Sequence, residues 1–101
     1  MAIGKVANYA IMYYVYILKS TIKDILYIGS TNDPVRRTVE HNQGQTKPTK
    51  PYLPWKLVFK QSFKDRATAL KIETKLKKNK NKTILEQVIK DGYIRAVSSA
   101  G

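Results

Sequence analysis

Two short runs of apolar and aromatic residues lie near the start of the chain, with a polar segment between them. Residues 13–19 are dense in Tyr, Val and Ile, and residues 25–29 have a similar character, which favours β-strands. Residues 20–24 between them are polar and turn-like, so the two runs predict an antiparallel hairpin. Residues 55–60 alternate between apolar and mostly polar side chains, as a half-buried strand does, and predict a third strand.

Three further segments carry helical signals. Asp33 followed by Pro34 is a typical helix start, and this helix is expected to reach about residue 42 and to stop at Gly44. Asp65 precedes a second helical pattern, and residues 83–90 predict a weaker third helix that ends at an Asp-Gly pair. The order β-β-α-β-α-α predicts an α+β fold, a three-stranded antiparallel sheet flanked by helices.

The length of 101 residues fits one domain. We expect the domain to span residues 12–94, with residues 1–11 as an N-terminal extension and residues 95–101 as a disordered tail. The longest apolar run, residues 10–18, is too short to cross a bilayer, and the N-terminus lacks a convincing signal peptide. We therefore expect a cytoplasmic protein that does not associate with membranes.

The charge of the chain changes this picture most. Nineteen Lys and Arg residues against seven Asp and Glu residues give a formal net charge of +12. A surface of this kind attracts polyanions, and the obvious polyanion is nucleic acid. The sequence has no cysteine and one histidine, which excludes disulfides, thiol nucleophiles, cysteine-based zinc sites and multi-histidine metal clusters.

The second helical pattern contains one acidic residue among many cations. At one residue per ~100°, an apolar stripe and a basic face lie on opposite sides of this helix. The stripe is formed by Ala69, Ile72 and Leu76, and the basic face by Lys71, Lys75 and Lys78. Glu73 lies at the edge of the stripe, where an ionised carboxylate needs a partner. That partner is either a lysine or a backbone donor, the more common case, or a divalent metal ion bound through oxygen.

The first helix carries two pairs of residues, each with a spacing of four. The pairs are Val35 with Val39, and Arg37 with His41. We expect the valines to form the apolar stripe of this helix and the Arg–His pair to lie on the opposite, exposed face. An Arg–His pair on one face can form a ridge that binds phosphate, but on spacing alone a solvated face beside an Arg36–Glu40 ion pair is favoured.

Two other features leave structural and functional interpretations open. The loop at residues 46–52 combines hydroxyls, cations and an aromatic ring, which suits contacts to a phosphate backbone but equally suits a rigid connection. Tyr16 and Tyr27 lie within the hairpin, and a tyrosine in a small sheet is usually a core residue with its hydroxyl at the surface.

Several fragments in the same order resemble the GIY-YIG nuclease family, and most closely its small standalone bacterial members. The fragments are Tyr-Val-Tyr-Ile-Leu at residues 14–18, Leu-Tyr-Ile-Gly-Ser at residues 26–30, Thr-Lys-Pro-Tyr at residues 49–52 and Pro-Trp-Lys-Leu-Val at residues 54–58. Arg37, His41 and Glu73 match that family's helix arginine, its histidine or tyrosine one turn later, and its metal-binding glutamate. The resemblance covers about residues 13–78.

The resemblance implies metal-dependent hydrolysis of phosphodiester bonds. It implies that Glu73 holds one Mg²⁺ or Mn²⁺ ion and that Arg37 clamps the phosphate. It also implies that Tyr16 or Tyr27 accepts a proton from the attacking water, with His41 as a second candidate. Of the two tyrosines, Tyr27 is favoured at this point because Gly29, two residues on, leaves that end of the strand open to a phosphate.

The expected substrate is nucleic acid, with DNA before RNA, in DNA repair or processing. The residues expected to contact it are Ser30, Asn32, Arg36, Thr49, Lys50, Lys56 and Lys78. Ser30 stands where some branches of the family have a lysine, and neither Asn79 nor Asn81 falls at the spacing of an asparagine that other branches carry. We expect a monomer or weak dimer, with a protein partner supplying any sequence specificity.

Two other functions remain possible on the sequence. One is a non-catalytic, basic nucleic-acid-binding module of the same fold, in which Glu73 is only structural. The other is a basic structural or ribosome-associated protein, which gives no reason for an acid on the apolar edge of a lysine-rich helix.

Overall fold

The computed structural model describes residues 12–79 and 81–94. The expected N-terminal extension and C-terminal tail lie outside the described residues. Three strands, β1 (Tyr13–Ser20), β2 (Leu26–Thr31) and β3 (Trp55–Phe63), form an antiparallel sheet in the order β2-β1-β3. The predicted α+β fold with a three-stranded antiparallel sheet is confirmed, and β1 is its central strand.

Three helices follow the predicted order. They are α1 (Pro34–Asn42), α2 (Arg66–Asn79) and α3 (Lys82–Asp91). Asp33 caps α1 by accepting a hydrogen bond from the Arg36 N–H, as the Asp-Pro pair predicts. Asp65 accepts from the Thr68 N–H at the start of α2, and α3 ends at Gly92, whose φ of 82° is left-handed.

The predicted bounds differ from the structure mainly in the strands. β2 begins one residue later than expected and continues through Thr31, and β3 continues to Phe63 because its last residues still pair with the start of β1. The loop before β3 contains a short 3₁₀ helix, Lys50–Tyr52. Pairing along the whole of β1 therefore extends both neighbouring strands beyond their apolar cores.

The two faces of the sheet have different compositions. One face, called here the apolar face, packs against α2 and α3 and contains Val15, Ile17, Ile28, Phe59, Phe63, Ala69, Ile72, Leu76, Leu85 and Val88. The opposite face, called here the aromatic face, contains Tyr16, Leu18 and Trp55, with Tyr27 and Tyr52 packed against them. The predicted stripe of α2 is confirmed, because its three residues are buried in the apolar face.

The expected orientation of α1 is wrong. Val35 and Val39 are 61% and 49% exposed, whereas His41 is fully buried. Pro34, Thr38 and His41, spaced as one helical face, are the residues turned toward the sheet, and Thr38 is half-buried. The apolar pattern was misleading because α1 covers the aromatic face. There the buried polar side chain of α1 is His41, which hydrogen-bonds to the Tyr16 hydroxyl of the sheet.

Within the part of the chain that the structure describes, no helix has the length and apolar character needed to cross a membrane.

Candidate active site

The register of the hairpin places Tyr16 directly opposite Gly29 on the neighbouring strand. A Cβ atom built on Gly29 would lie 2.5 Å from the Tyr16 hydroxyl oxygen and 2.6 Å from its Cζ. The Tyr16 ring therefore lies across the backbone of Gly29, and any larger residue would displace it. The expectation that Gly29 leaves the strand open to a phosphate is wrong, because Tyr16 fills that space.

A chain of hydrogen bonds joins β1, α1 and the loop before β3. The Tyr16 hydroxyl lies 3.0 Å from His41 Nε2, and His41 Nδ1 lies 2.8 Å from Thr49 Oγ1. The Thr49 hydroxyl donates its hydrogen to the carbonyl oxygen of Thr46 at 3.2 Å. Thr49 Oγ1 then accepts from Nδ1–H, which leaves Nε2 as the acceptor of the Tyr16 O–H.

Electrostatics fix the protonation states along this chain. Burial lowers the pKa of His41, the Arg37 guanidinium lowers it further, and Glu40 opposes both. Burial, and then Tyr27, raise the pKa of Tyr16 to about 12, while Arg37 opposes the shift. At neutral pH the His41 imidazole is therefore neutral and the Tyr16 phenol beside it is protonated.

Tyr27 completes the aromatic cluster. Its ring lies edge-on to His41, with centroids 4.9 Å apart, and 6.4 Å from the Tyr16 ring. Trp55 packs on Tyr27 at 6.3 Å. Tyr16 and Tyr27 thus lie side by side on the aromatic face, and the His41 ring contacts both of their rings.

Arg37 lies at the border of this cluster, one third exposed. Its Nη1 donates to Glu40 Oε1 at 2.8 Å, and this hydrogen bond is the main reason that the pKa of Arg37 is raised. Arg36 holds the other oxygen of the same carboxylate, also at 2.8 Å. Arg37 is therefore held in place beside Tyr16 while part of its guanidinium stays accessible to solvent.

Glu73 reaches the same region from α2, across the outer edge of β2. Its side chain is 13% exposed, and it lies within electrostatic reach of Tyr16. Oε1 accepts a hydrogen bond from the Ser30 hydroxyl at 2.7 Å, and Oε2 pairs with the Lys77 ammonium at 2.7 Å. The predicted position at the edge of the apolar stripe is confirmed, and the common kind of partner, a lysine, is present.

The donor set fits a hard divalent ion held by one protein ligand. Among the described residues, no three His, Cys, Asp or Glu side chains cluster as a metal cage. Mg²⁺ commonly takes one or two carboxylates and completes its shell with waters and substrate phosphate oxygens. A single, nearly buried carboxylate that is oriented by the Ser30 hydroxyl meets that requirement.

The residues expected to contact nucleic acid lie in different parts of the structure. The Ser30 hydroxyl donates to Glu73, and Asn32 accepts a hydrogen bond from Arg36 at 3.1 Å on the exposed side of α1. Lys50, Lys56 and Lys78 are exposed, and Lys78 lies on the outer face of α2 with Lys71 and Lys75.

Thr49 does not fit the role expected for it. Its side chain is 1% exposed and binds His41, so a direct contact with phosphate is excluded for its hydroxyl in this structure. The likeness of the loop to a phosphate-binding segment misled because one of its hydroxyls is turned inward by the 3₁₀ turn that follows it.

Two features of the site were not predicted from the sequence: the Glu73–Lys77 ion pair and the inward position of Thr49. Lys77 follows Glu73 by four residues, a spacing that favours an ion pair on a helix and could have shown it in advance. The anchoring of Thr49 had no such signal: the Trp55 indole N–H donates to the Thr49 carbonyl at 2.9 Å, and the Asn42 side chain bonds both backbone groups of Trp55.

Comparison with known proteins identifies the family. The model of the GIY-YIG catalytic domain matches residues 12–87. A UPF0213 protein of Listeria monocytogenes is 35% identical over 83 residues, which cover 81% of this chain and 85% of that protein. A UPF0213 protein of Staphylococcus saprophyticus is 40% identical over 67 residues, covering 64% of this chain and 79% of that protein.

A fungal relative and a solved structure extend the comparison. The structure-specific endonuclease subunit slx1 of Aspergillus oryzae is 38% identical over 68 residues, and the matched part is 17% of that protein's length. The solution structure of the UPF0213 protein BH0048 of Bacillus halodurans superposes with a TM-score of 0.50 at 29% identity, covering 80% of this chain and 86% of that one. The family model matches most of the chain, and the sheet and helices are arranged as expected. The chain therefore belongs to the GIY-YIG family and matches that family's catalytic domain.

Proposed function

We propose that this chain is a metal-dependent endonuclease that hydrolyses phosphodiester bonds of nucleic acid, with DNA as substrate and Mg²⁺ or Mn²⁺ as cofactor. One observation carries the proposal: the buried Tyr16–His41 pair lies within electrostatic reach of both Arg37 and Glu73. A proton acceptor, a cation and a carboxylate are the groups that phosphoryl transfer requires in one place.

In this mechanism Glu73 holds the metal ion and Ser30 keeps the carboxylate oriented through its hydroxyl. When bound, the ion neutralises charge on the scissile phosphate and stabilises the leaving oxygen. Arg37 donates to the non-bridging phosphate oxygens as their negative charge grows. Its existing hydrogen bond to Glu40 fixes the guanidinium before the substrate arrives.

The Tyr16–His41 pair supplies the proton relay. The attacking water transfers a proton to the Tyr16 oxygen as the Tyr16 proton moves to His41 Nε2. The oxygen of the water then forms the new bond to phosphorus while the bond to the leaving oxygen breaks. His41 becomes an imidazolium, and Thr49 still accepts from Nδ1–H.

This relay favours Tyr16 over Tyr27 as the group that receives the proton. A phenol with a pKa of about 12 is a poor acid on its own, and a neutral imidazole 3.0 Å away provides an acceptor for its proton. Tyr27 packs edge-on against the same imidazole and serves to position it.

The biological setting is also a proposal. The relatives in Aspergillus are named structure-specific endonuclease subunits, which supports a role in DNA repair or processing with a partner protein that supplies specificity. The net charge of +12 supports binding to a nucleic-acid backbone largely irrespective of sequence. Action in the cytoplasm, expected from the sequence, is part of the same proposal.

A second candidate function is a basic binding module that does not cleave. The observation in its favour is that both Glu73 oxygens already have protein partners, as in an ordinary structural ion pair. The basic outer face of α2, formed by Lys71, Lys75 and Lys78, would then bind nucleic acid without cleaving it.

The test is a cleavage assay with labelled branched, linear and single-stranded DNA and matched RNA, each with Mg²⁺, with Mn²⁺ and with EDTA. We expect cleavage of at least one DNA substrate with metal and none with EDTA. Arg37→Ala, purified identically, controls for a contaminating nuclease. Binding of every substrate without cleavage of any would support the binding module instead.

A further inference from the structure

Lys77 pairs with one of the two Glu73 oxygens that a divalent ion could use. Its ammonium lies 2.7 Å from Oε2, while Oε1 is held by Ser30. The Lys77 side chain is 49% exposed, whereas that of Glu73 is 13% exposed. The ion pair is therefore asymmetric, with a fixed carboxylate and a cation that is free to leave on its solvent side.

A lysine at this position competes with a metal ion. An ammonium and a divalent cation repel each other at one carboxylate oxygen, so binding of the ion requires the ammonium to move. Lysine suits such an exchange because it is a point charge on a flexible four-carbon stem, without the planar fork that fixes an arginine to a carboxylate.

The structure provides space for the displaced side chain. Lys77 lines an open groove of about 410 Å³, together with Tyr27, Leu76, Leu85 and Lys82, and the ammonium of Lys82 is paired with Asp24. The apolar walls suit the Lys77 stem, and the Tyr27 ring already lies 5.9 Å from its ammonium. The groove borders the aromatic face where the phosphate is expected, so a short rotation keeps the ammonium near the substrate.

Resting on the proposed function, we propose that Lys77 is a movable phosphate-binding residue. Without a divalent ion it neutralises Glu73 and holds the carboxylate in place. When the ion takes Oε2, the ammonium moves into the groove and binds a phosphate oxygen of the nucleic acid. Metal binding thereby makes one additional cation available to the substrate.

The first experiment measures metal binding without nucleic acid. In ¹⁵N-labelled protein, Mn²⁺ broadens the amide signals of residues near it, and the Ser30 and Glu73 signals report the affinity. Lys77→Met keeps the aliphatic stem and removes the charge. We expect Lys77→Met to bind Mn²⁺ roughly two- to fivefold more tightly than wild type, because a half-exposed ion pair is worth no more than that.

Two variants sharpen the result. Lys77→Arg forms a firmer pair with Glu73, so it should bind Mn²⁺ more weakly than wild type. Lys71→Met removes the same charge from the exposed outer face of the helix and should leave the affinity close to that of wild type. Equal Mn²⁺ affinity in Lys77→Met, Lys77→Arg and wild type would overturn the proposal.

The second experiment measures DNA binding with and without metal. With Ca²⁺ or Mn²⁺ under non-cleaving conditions, Lys77→Met should lower the salt slope of binding by about one unit, whereas without metal its slope should match wild type. A slope that falls equally in both conditions would overturn the exchange and leave Lys77 as an ordinary surface cation.

Failure of the proposed function would look different. If Glu73→Gln binds Mn²⁺ as wild type does, Glu73 is not the metal ligand and both proposals fall. If Glu73→Gln loses Mn²⁺ binding but all Lys77 variants behave alike, the metal site stands and only the exchange is wrong.

Discussion

The two faces of the sheet share the strand β1 but use it differently. Val15 and Ile17 point into the apolar face, where every side chain of the buried cluster is hydrophobic. Tyr16, between them, points into the aromatic face and is hydrogen-bonded to a buried histidine. Alternate residues of one strand thus divide between a hydrophobic core and a layer that holds the hydrogen-bonded Tyr16–His41 pair.

The difference between the two faces also explains why the orientation of α1 was predicted wrongly from the sequence. A helix on the apolar face, such as α2, shows its contact residues as an apolar stripe. A helix on the aromatic face presents Pro34 and His41 inward and leaves two valines in solvent. Polar groups are tolerated in that layer because their partners are present: no buried side-chain nitrogen or oxygen of the described residues lacks a hydrogen bond.

The comparison is tested most strongly at Tyr16. Tyr16→Phe keeps the ring and removes only the hydroxyl, so we expect the cleavage rate to fall by ~10²–10⁴ while the free energy of unfolding changes by about 1 kcal/mol. Tyr27→Phe should cost less than about tenfold in rate, as expected of a positioning residue. Single-turnover cleavage and thermal melting measure the two effects.

Ile17→Ala is the matched change on the other face. It should lower the free energy of unfolding by ~2–5 kcal/mol, because Ile17 is fully buried, and leave the rate per folded molecule close to wild type. Near-normal activity of both tyrosine variants and of their double mutant would remove tyrosine from the mechanism.

The next largest effect is expected at Arg37. Arg37→Ala should lower the rate by ~10²–10³, since a donor aimed at transition-state charge is worth about 3–4 kcal/mol. Lys78→Ala removes a cation from the outer face of α2 and should mainly weaken binding, with a salt slope lower by about one unit. Equal, modest losses of binding in both variants, with unchanged rates, would make Arg37 one more surface cation.

Gly29→Ala disturbs the aromatic face without replacing any titratable residue. The added methyl group would overlap the Tyr16 ring, so the ring or the strand must shift, which disturbs the hydrogen bond between Tyr16 and His41. We expect a loss of ~1–3 kcal/mol in stability and about tenfold or more in rate. Ile28→Val, the neighbouring change on the apolar face, should lose stability alone. Full activity of Gly29→Ala would show that the position of Tyr16 is unimportant.

A smaller effect is expected in the pH dependence of stability, through the titration of His41. Because the pKa of His41 is lowered below its ordinary 6.5, the folded state favours the neutral ring. The resulting stability is present above about pH 6.5 and is lost as the pH falls through the lowered pKa of the folded state. The melting temperature of wild type should therefore fall on acidification more than that of His41→Gln, which accepts a hydrogen bond but does not titrate. Parallel curves would contradict a buried neutral histidine.

The sequence predicts the apolar face better than the aromatic face, for physical reasons. Strand character, helix caps and the stripe of α2 depend on local periodicity, and these were predicted with small errors in their bounds. The site depends on contacts distant in sequence, such as those of Tyr16 with Gly29 and His41. Of these, periodicity indicated only the edge position of Glu73, and the resemblance to a family supplied the remaining members.

Thr49 and Lys77 mark the limit of that approach. The inward turn of Thr49 depends on Trp55 and on the 3₁₀ turn, neither of which leaves a periodic signal. Lys77 has the helical spacing from Glu73 that favours an ion pair, but it is one of several lysines on α2, and the spacing does not show that the ammonium contacts the carboxylate.

The measurement that tests the account most directly is cleavage by Glu73→Gln beside Glu86→Gln, which removes an equal charge from an exposed site on α3. Both are assayed with Mn²⁺ on the best DNA substrate, with melting temperature and DNA affinity recorded. If Glu73 holds the metal ion, Glu73→Gln is folded, binds DNA and does not cleave, whereas Glu86→Gln cleaves as wild type does. Equal cleavage by both variants would contradict the proposal that Glu73 holds the metal ion on which hydrolysis depends.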